Sequence, residues 1–163
     1  MKSHWNYLRY VLRHKWYVFW ACLKMGVPIW RALIHDWTKF TRREWSPYVH
    51  QFFNPDGTPR KVRDASGSYD PNAQSLDFKY AWLSHQRNLH HWQAWISIGD
   101  GGSLDAMPIP ETYIREMVAD WIGAGQAISG QGNPMPWYEA NKDKMVLHQA
   151  TRLLVHGLLE TYG

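Results

Sequence analysis

Cysteine is nearly absent: Cys22 is the only one in 163 residues. That excludes a disulfide framework and a thiolate zinc site within one chain, so any metal must be held by imidazole and carboxylate. Long apolar runs are absent too. Arg9, Arg13, His14 and Lys15 interrupt the apolar N-terminal stretch, which breaks the pattern of a signal peptide. Trp16 to Leu23 is too short to span a bilayer. A cytoplasmic protein with no membrane partner is the expectation. There is no block of five or six like charges, no internal repeat, no low-complexity segment and no convincing strand pair.

What is present describes one domain over residues 1–163. Apolar residues make up 45% of the chain, enough for a proper core. The 11 Trp, 9 Tyr and 5 Phe are, in a helical domain, first of all core and interhelix filler. The formal charge of +4 and the pI near 9.2 favour an anionic partner. A small phosphorylated substrate suits so modest an excess; nucleic acid is only weakly supported. The local concentrations, Arg42-Arg43 and Arg60, Lys61 and Arg63, read first as solvated loops. The tryptophans and an apolar last helix allow a homodimer without requiring one.

The pattern is all-α, a single helical bundle of about six or seven helices with two long loops. Ser3 is placed to cap a first helix that runs to Met25, where Gly26 stops it. Apolar residues on almost every side of this helix predict a central, buried position. A second helix is expected from Pro28 to Lys39. Thr41 and Glu44 form a capping-box pattern ahead of a short helix containing Pro47. Residues 54–75 read as a long polar loop with a small hairpin at Asp56-Gly57, suited to a lid or binding segment. A third long helix is expected over Leu76–Ile98, then a loop over 99–108. Pro110 opens a helix to about Ile128, a short helical piece covers Trp137–Lys142, and a last helix runs from Lys144 to Tyr162 with Leu147, Thr151, Leu154 and Leu158 as its core stripe.

The chemistry-bearing stretch is His35-Asp36-Trp37-Thr38-Lys39. On a regular helix His35 and Asp36 can converge on one ion from either side of a helix edge, with Lys39 a turn further on. Imidazole with carboxylate suits Mn, Fe, Co, Ni or Zn better than Ca or Mg. A protonated Lys39 cannot ligate, but it can neutralise an anionic substrate. Elsewhere, His14 lies on an apolar stripe, where a hydrogen-bonded core histidine is the ordinary reading. His85, Asn88 and His91 share an arc of the expected third helix, with His90 pointing away from it. Glu116 and Asp120 stand one turn apart among Met117, Val118, Trp121 and Ile122. His4, His50, His148 and His156 read as exposed or structural, although His4 could approach from the first helix start.

Taken in order, these residues resemble the HD-domain superfamily of metal-dependent phosphohydrolases over roughly Lys2 to Gln126. The resemblance implies a metal set of His14, His35, Asp36 and Asp120. The H-D-x-x-K form and the extra histidines are similar to its two-metal branches, which include cyclic-dinucleotide phosphodiesterases and mixed-valent di-iron oxygenases. A second ion would then take His85 with His91, and less readily His90. The absence of G-Y-P after His91 argues against the cyclic-dinucleotide branch. The motifs His35–Lys39, Asn88–His91 and Glu116–Trp121 also resemble those of a family of small bacterial and phage proteins.

The resemblance implies hydrolysis of a nucleotide or related small phosphoester by metal-activated water, with one ion expected. Lys39, with Arg42 or Arg87, would balance phosphate charge. Glu116 would be a general base or the partner of a ligand histidine, and Asn88 would donate to a substrate oxygen. Trp37, Trp92 or Trp121 would stack on a base. Two other readings stand beside it: a di-iron oxygenase on the same ligands, and a non-catalytic helical module binding nucleic acid or protein through Arg and Trp.

Overall fold

The stretch from Lys2 to Lys24 contains neither proline nor glycine, and Tyr7, Val11, His14, Val18 and Cys22 recur at helical spacing. They are the buried face of the first helix, α1 (Lys2–Lys24). The computed structural model describes residues 1–162. Ser3 does not cap α1: Met1 stands at the cap position and Ser3 is buried in the first turn. Gly26, at φ +70°, ends the segment in a left-handed conformation that other residues adopt at a cost. The expected all-round burial of α1 is not found. Trp5, Leu12, Trp16 and Trp20 lie exposed opposite the core stripe.

The second helix is shorter than expected. α2 (Ile29–Ile34) stops before the H-D pair. Asp36 takes φ 56°, the left-handed region, as the only non-glycine residue with positive φ among those described. Asp is one of the few residues whose short polar side chain makes that conformation tolerable. A 3-10 turn over Trp37–Phe40 follows. The next helix, α3 (Arg42–Phe52), begins after Thr41, which makes no side-chain cap. The expected capping box is absent because Glu44 turns inward to His85 instead.

Residues 53–75 form an ordered strap. Isolated bridges Phe53–Pro59 and Arg63–Tyr69 fold it into two small loops, the first at the expected Asp56-Gly57 turn. Asp56 Oδ1 and Asp64 Oδ1 accept backbone N–H bonds from Thr58 and Ser66, each at 2.9 Å. These are the local turns that short carboxylates favour.

The third long helix also breaks early. α4 is Leu76–His85, capped by the Ser75 hydroxyl. A turn carries the chain through Asn88, His90 and His91 into a 3-10 turn at Trp92–Trp95. Where a helix end and then a loop were expected, Ile96–Ile98 (β1) pairs antiparallel with Leu104–Ala106 (β2). α5 (Glu111–Ser129) starts after Pro110 and ends at left-handed Gly130, close to expectation. α6 (Met135–Asn141) and α7 (Gln149–Tyr162) complete seven α-helices among the described residues. On α7 the buried positions are Thr151, Val155, Leu158 and Leu159, so the stripe is turned slightly from the expected one.

α1 packs most extensively on α5, and α5 in turn on α7. At the α1–α5 crossing Gly123 lets the backbones approach: a Cβ there would lie 2.8 Å from Val18 N. Two apolar clusters result. One gathers Val18, Cys22, Met117, Val118 and Leu159; the other gathers Tyr7, Val11, Tyr48, Val49 and Phe78. His14 lies on α1 between Val11 and Val18, and so at the junction of the two cores. The buried histidines of the chain, with Asp36, Lys39 and Glu116, converge at that waist.

Candidate metal centre

The helix breaks that sequence periodicity did not foresee are what assemble the site. Ending α2 at Ile34 and setting Asp36 left-handed turns the Asp36 carboxylate inward, where it is 3% exposed. Ending α4 at His85 lets the following turn bring both His90 and His91 to the same place. His90 was expected to point away on a regular helix; here its Nε2 lies 3.3 Å from Asp36 Oδ1.

Asp36 faces two sets of side chains, one with each oxygen. On the Oδ2 side, His14 Nε2 lies at 3.1 Å and His35 Nε2 at 3.5 Å. Asp120 Oδ1 closes this set, 3.1 Å from His14 Nε2 and 3.4 Å from His35 Nε2. On the Oδ1 side are His85 Nε2 at 3.4 Å and His90 Nε2 at 3.3 Å, with His91 completing the group. In each of the sets His14, His35, Asp36, Asp120 and Asp36, His85, His90, His91, the donor atoms lie within 4.8 Å of one another.

The outer ring nitrogens are held by buried glutamates. His35 Nδ1 is 3.1 Å from Glu116 Oε1, and His85 Nδ1 is 2.9 Å from Glu44 Oε2. Glu116 also approaches His90 Nδ1 at 3.4 Å. A carboxylate on Nδ1 fixes the tautomer that leaves Nε2 with its lone pair inward, the usual outer support of a metal-bound histidine. Glu116 is itself fixed by Arg31, which donates from Nε at 2.9 Å and from an Nη at 2.6 Å while lying over the Tyr113 ring. The inward atoms His35 Nε2, His90 Nε2, His91 Nε2 and Asp36 Oδ1 are buried with no hydrogen-bond partner. Unpaired buried polar atoms are costly, and their convergence on two points fits a metal-ligand set. These buried His, Asp and Glu groups could hold a metal ion.

The electrostatics agree. Burial alone would raise the Asp36 carboxyl, but the charges of His35, Lys39 and His85 hold it well below the usual carboxylate range. Asp120 is held well below it too, because the adjacent His14 and His35 rings outweigh its burial. Burial and the charge of His35 push His90 down, and burial with its two histidine neighbours pushes His91 well down, so both rings are neutral and able to ligate. Burial opposes charge on His35 as well, yet Asp36, Asp120 and Glu116 lift it to about 9.

Lys39 is buried, and its ammonium donates directly to Asp36 Oδ2. Burial would lower its pKa, but Asp36 and Asp120 more than offset this and keep it charged. Lys15, on α1, donates to the carbonyls of Leu33 and His35 and so ties down the broken end of α2.

The site floors a cavity of about 870 Å³ lined by His14, Lys39, His85, His91 and Asp120 below and Tyr10, Tyr69, Trp82, Trp92, Trp121 and Trp137 around it. Arg63, from the strap, and Lys144 are the cations in its wall. Of the residues expected to contact substrate, Lys39 and Trp92 line this cavity, as does Trp121. Arg42 instead lines a separate groove with Phe40, Trp45 and Ser46, and exposed Arg87 and Trp37 line neither. Asn88 is turned to Thr38 Oγ1 at 3.4 Å and to His85 Nδ1 at 3.3 Å, so it supports the histidine. His4 meets the Trp45 indole at 2.9 Å, away from the site.

Sequence reasoning missed Glu44, Arg31 and Arg63. Glu44 carried a signal, but one with two meanings: the same T-x-x-E spacing serves a capping box. Arg31 and Arg63 carried none beyond their charge.

No curated protein and no solved structure matches the chain. A family model described as Family of unknown function (DUF5662) matches residues 3–161, nearly the whole domain, and the chain belongs to that family.

Proposed function

We propose that the protein is a metal-dependent phosphohydrolase of HD type acting on a nucleotide or related small phosphoester, in which His14, His35, Asp36 and Asp120 would hold one divalent transition-metal ion and Asp36, His85, His90 and His91 a second. The observation that carries the two-ion reading is the division of the Asp36 oxygens between His14, His35 and Asp120 on one side and His85, His90 and His91 on the other. One ion was expected; the turn after α4, which brings His85 and His90 to Oδ1 of Asp36, supports the two-ion reading. Bound ions would supply a coordinated water acidified toward pKa about 7 and polarise a phosphoryl oxygen.

The chain's own residues divide the remaining work. Glu116 and Glu44 hold His35 and His85 in the tautomer that presents Nε2. Lys39 keeps a fixed positive charge at the cavity floor, where an anionic substrate group would otherwise meet Asp36 and Asp120 directly. Arg63 and Lys144 add cations at the wall, and the tryptophan-rich sides offer faces for a planar ring. The volume, about 870 Å³, is in the range of small-molecule sites.

The test is a panel of nucleotides and other phosphoesters incubated with metal-reconstituted protein, with phosphate release read beside the Asp36→Asn variant. Release that needs Mn, Fe, Co, Ni or Zn and disappears in the variant supports the proposal. Turnover that instead consumes oxygen and requires two irons would replace it with the oxygenase reading.

A further inference from the structure

The first 35 residues contain no Asp or Glu; Asp36, buried in the centre, is the first carboxylate side chain of the chain. Ahead of it stand Lys2, Arg9, Arg13, Lys15, Lys24 and Arg31, so this segment alone carries more positive charge than the net +4 of the whole molecule. Lys15 and Arg31 are engaged internally, with the α2 carbonyls and with Glu116. Lys2, Arg9, Arg13 and Lys24 are exposed, and none is within salt-bridge distance of a carboxylate among the described residues.

The same segment presents a broad apolar face. Leu12, Trp16 and Trp20 project from the side of α1 opposite its core stripe, and Trp16 and Trp20 meet edge to face at 5.6 Å. Trp30, Leu33 and Trp37 continue it from α2 and the following turn; Trp16 is 60% and Leu33 61% exposed. The bond from Lys15, next to the exposed Trp16, to the carbonyl of the exposed Leu33, 3.2 Å, sets α2 beside the middle of α1. Monomeric surfaces seldom carry so large an apolar patch without a partner.

We infer that this α1–α2 face docks on an anionic lipid surface. The charge pattern decides among occupants. A second copy packed face to face would bring Lys2, Arg9, Lys24 and Arg13, which also donates to the Gln126 carbonyl at 3.1 Å, of both chains together with no carboxylate from this segment to offset them. Nucleic acid would satisfy the cations but leave the aliphatic Leu12, Leu33 and Ile34 against phosphate and sugar. A bilayer with anionic headgroups takes both: aliphatic and indole side chains enter the headgroup–acyl boundary, and the flanking Lys and Arg meet the phosphates. The absence of a spanning helix does not bear on this, since such a face lies in the plane of the interface. Tyr10 and His14 enter the cavity from another side of α1, so a docked face leaves the centre uncovered, and the inference is independent of the metal reading.

The test is vesicle flotation of the full chain with phosphatidylcholine alone and with phosphatidylcholine containing one third phosphatidylglycerol. The expected result is about tenfold more protein floating with the anionic vesicles, with a blue shift of tryptophan emission. Arg9→Gln with Arg13→Gln should erase most of the preference for anionic vesicles. Trp16→Ser with Leu33→Ser should abolish flotation while circular dichroism stays unchanged. Protein that remains unbound to both vesicle types overturns the inference. So does a concentration-dependent dimer that the Trp16→Ser, Leu33→Ser variant dissolves, because the face would then belong to a second copy.

Discussion

Asp36 is the residue on which both halves of the centre depend, and its backbone is as specialised as its side chain. At φ 56° an alanine would be strained in a way that an asparagine is not, so Asp36→Asn separates the loss of the carboxylate from the loss of the turn. One residue outward, Glu116→Gln keeps a hydrogen-bonding group beside His35 Nδ1 but removes the charge that raises the basicity of the ring. Metal affinity should fall about 10–100-fold, read by chelator competition, with the fold intact. An unchanged affinity would show that Glu116 is only a partner for Arg31. Cys22 offers an independent check on the core beneath the site. Burial, helped by the negative charges of Glu116 and Asp120, pushes its thiol up to about 12. Native protein at pH 8 should therefore alkylate far more slowly than unfolded protein, for which a thiol pKa near 8.5 is ordinary; fast native labelling would contradict the packing.

At the scale of elements, the scaffold rests on the approach of α1 and α5. Gly123 has no room for a methyl group, because the nearest atoms to an added Cβ are Val18 Cγ2 at 2.3 Å and the Val18 backbone. Gly123→Ala should cost about 1–3 kcal/mol by overpacking, measured by denaturant unfolding, and should loosen the placing of His14 against Asp120. A neutral result would mean that the two helices are not in this register. The elements themselves were largely legible in the sequence where punctuation is strong. Gly26 ends α1, Pro110 and Gly130 bound α5, and the sparse apolar content of 54–75 marks the strap. They were not legible where a helix stops without glycine or proline. Nothing in Ser84-His85-Gln86-Arg87-Asn88 forbids a continuing helix, and His35-Asp36 even reads as one. Both breaks are tertiary: Asp36, His90 and His91 leave helical geometry to face a common centre. Most of the histidines and carboxylates that converge at the waist could therefore be read from residue order, while the shared approach of His90 and His91 and the supporting Glu44 and Arg31 could not.

At the scale of the molecule, a cluster of buried charges between two apolar cores makes stability depend on pH and metal together. In the metal-free protein His35 is lifted from 6.5 to about 9. Its contribution is fully present below about 6.5 and lost as pH rises through about 9. Asp36 and Asp120 are depressed, so theirs is present above the ordinary carboxylate range and lost on acidification below it. His90 and His91 are depressed as well, so their contribution is lost as pH falls below about 6.5, and the metal-free melting temperature should be highest close to pH 6.5 and decline on either side. Metal has the opposite preference above neutrality, because it must displace the His35 proton. The stabilisation it gives, about 2.7 kcal/mol at a hundred times its dissociation constant, should be reached at lower metal concentration as pH rises toward 9. Melting curves with and without chelator across that range check both trends, and a metal-free curve flat in pH would contradict the charge assignment. Elemental analysis of untagged protein beside Asp36→Asn decides the two-ion proposal. That proposal requires two equivalents of transition metal per chain in the native protein and neither site filled in the variant. A native protein that holds no stoichiometric metal after reconstitution, or a variant that keeps both ions, would contradict it.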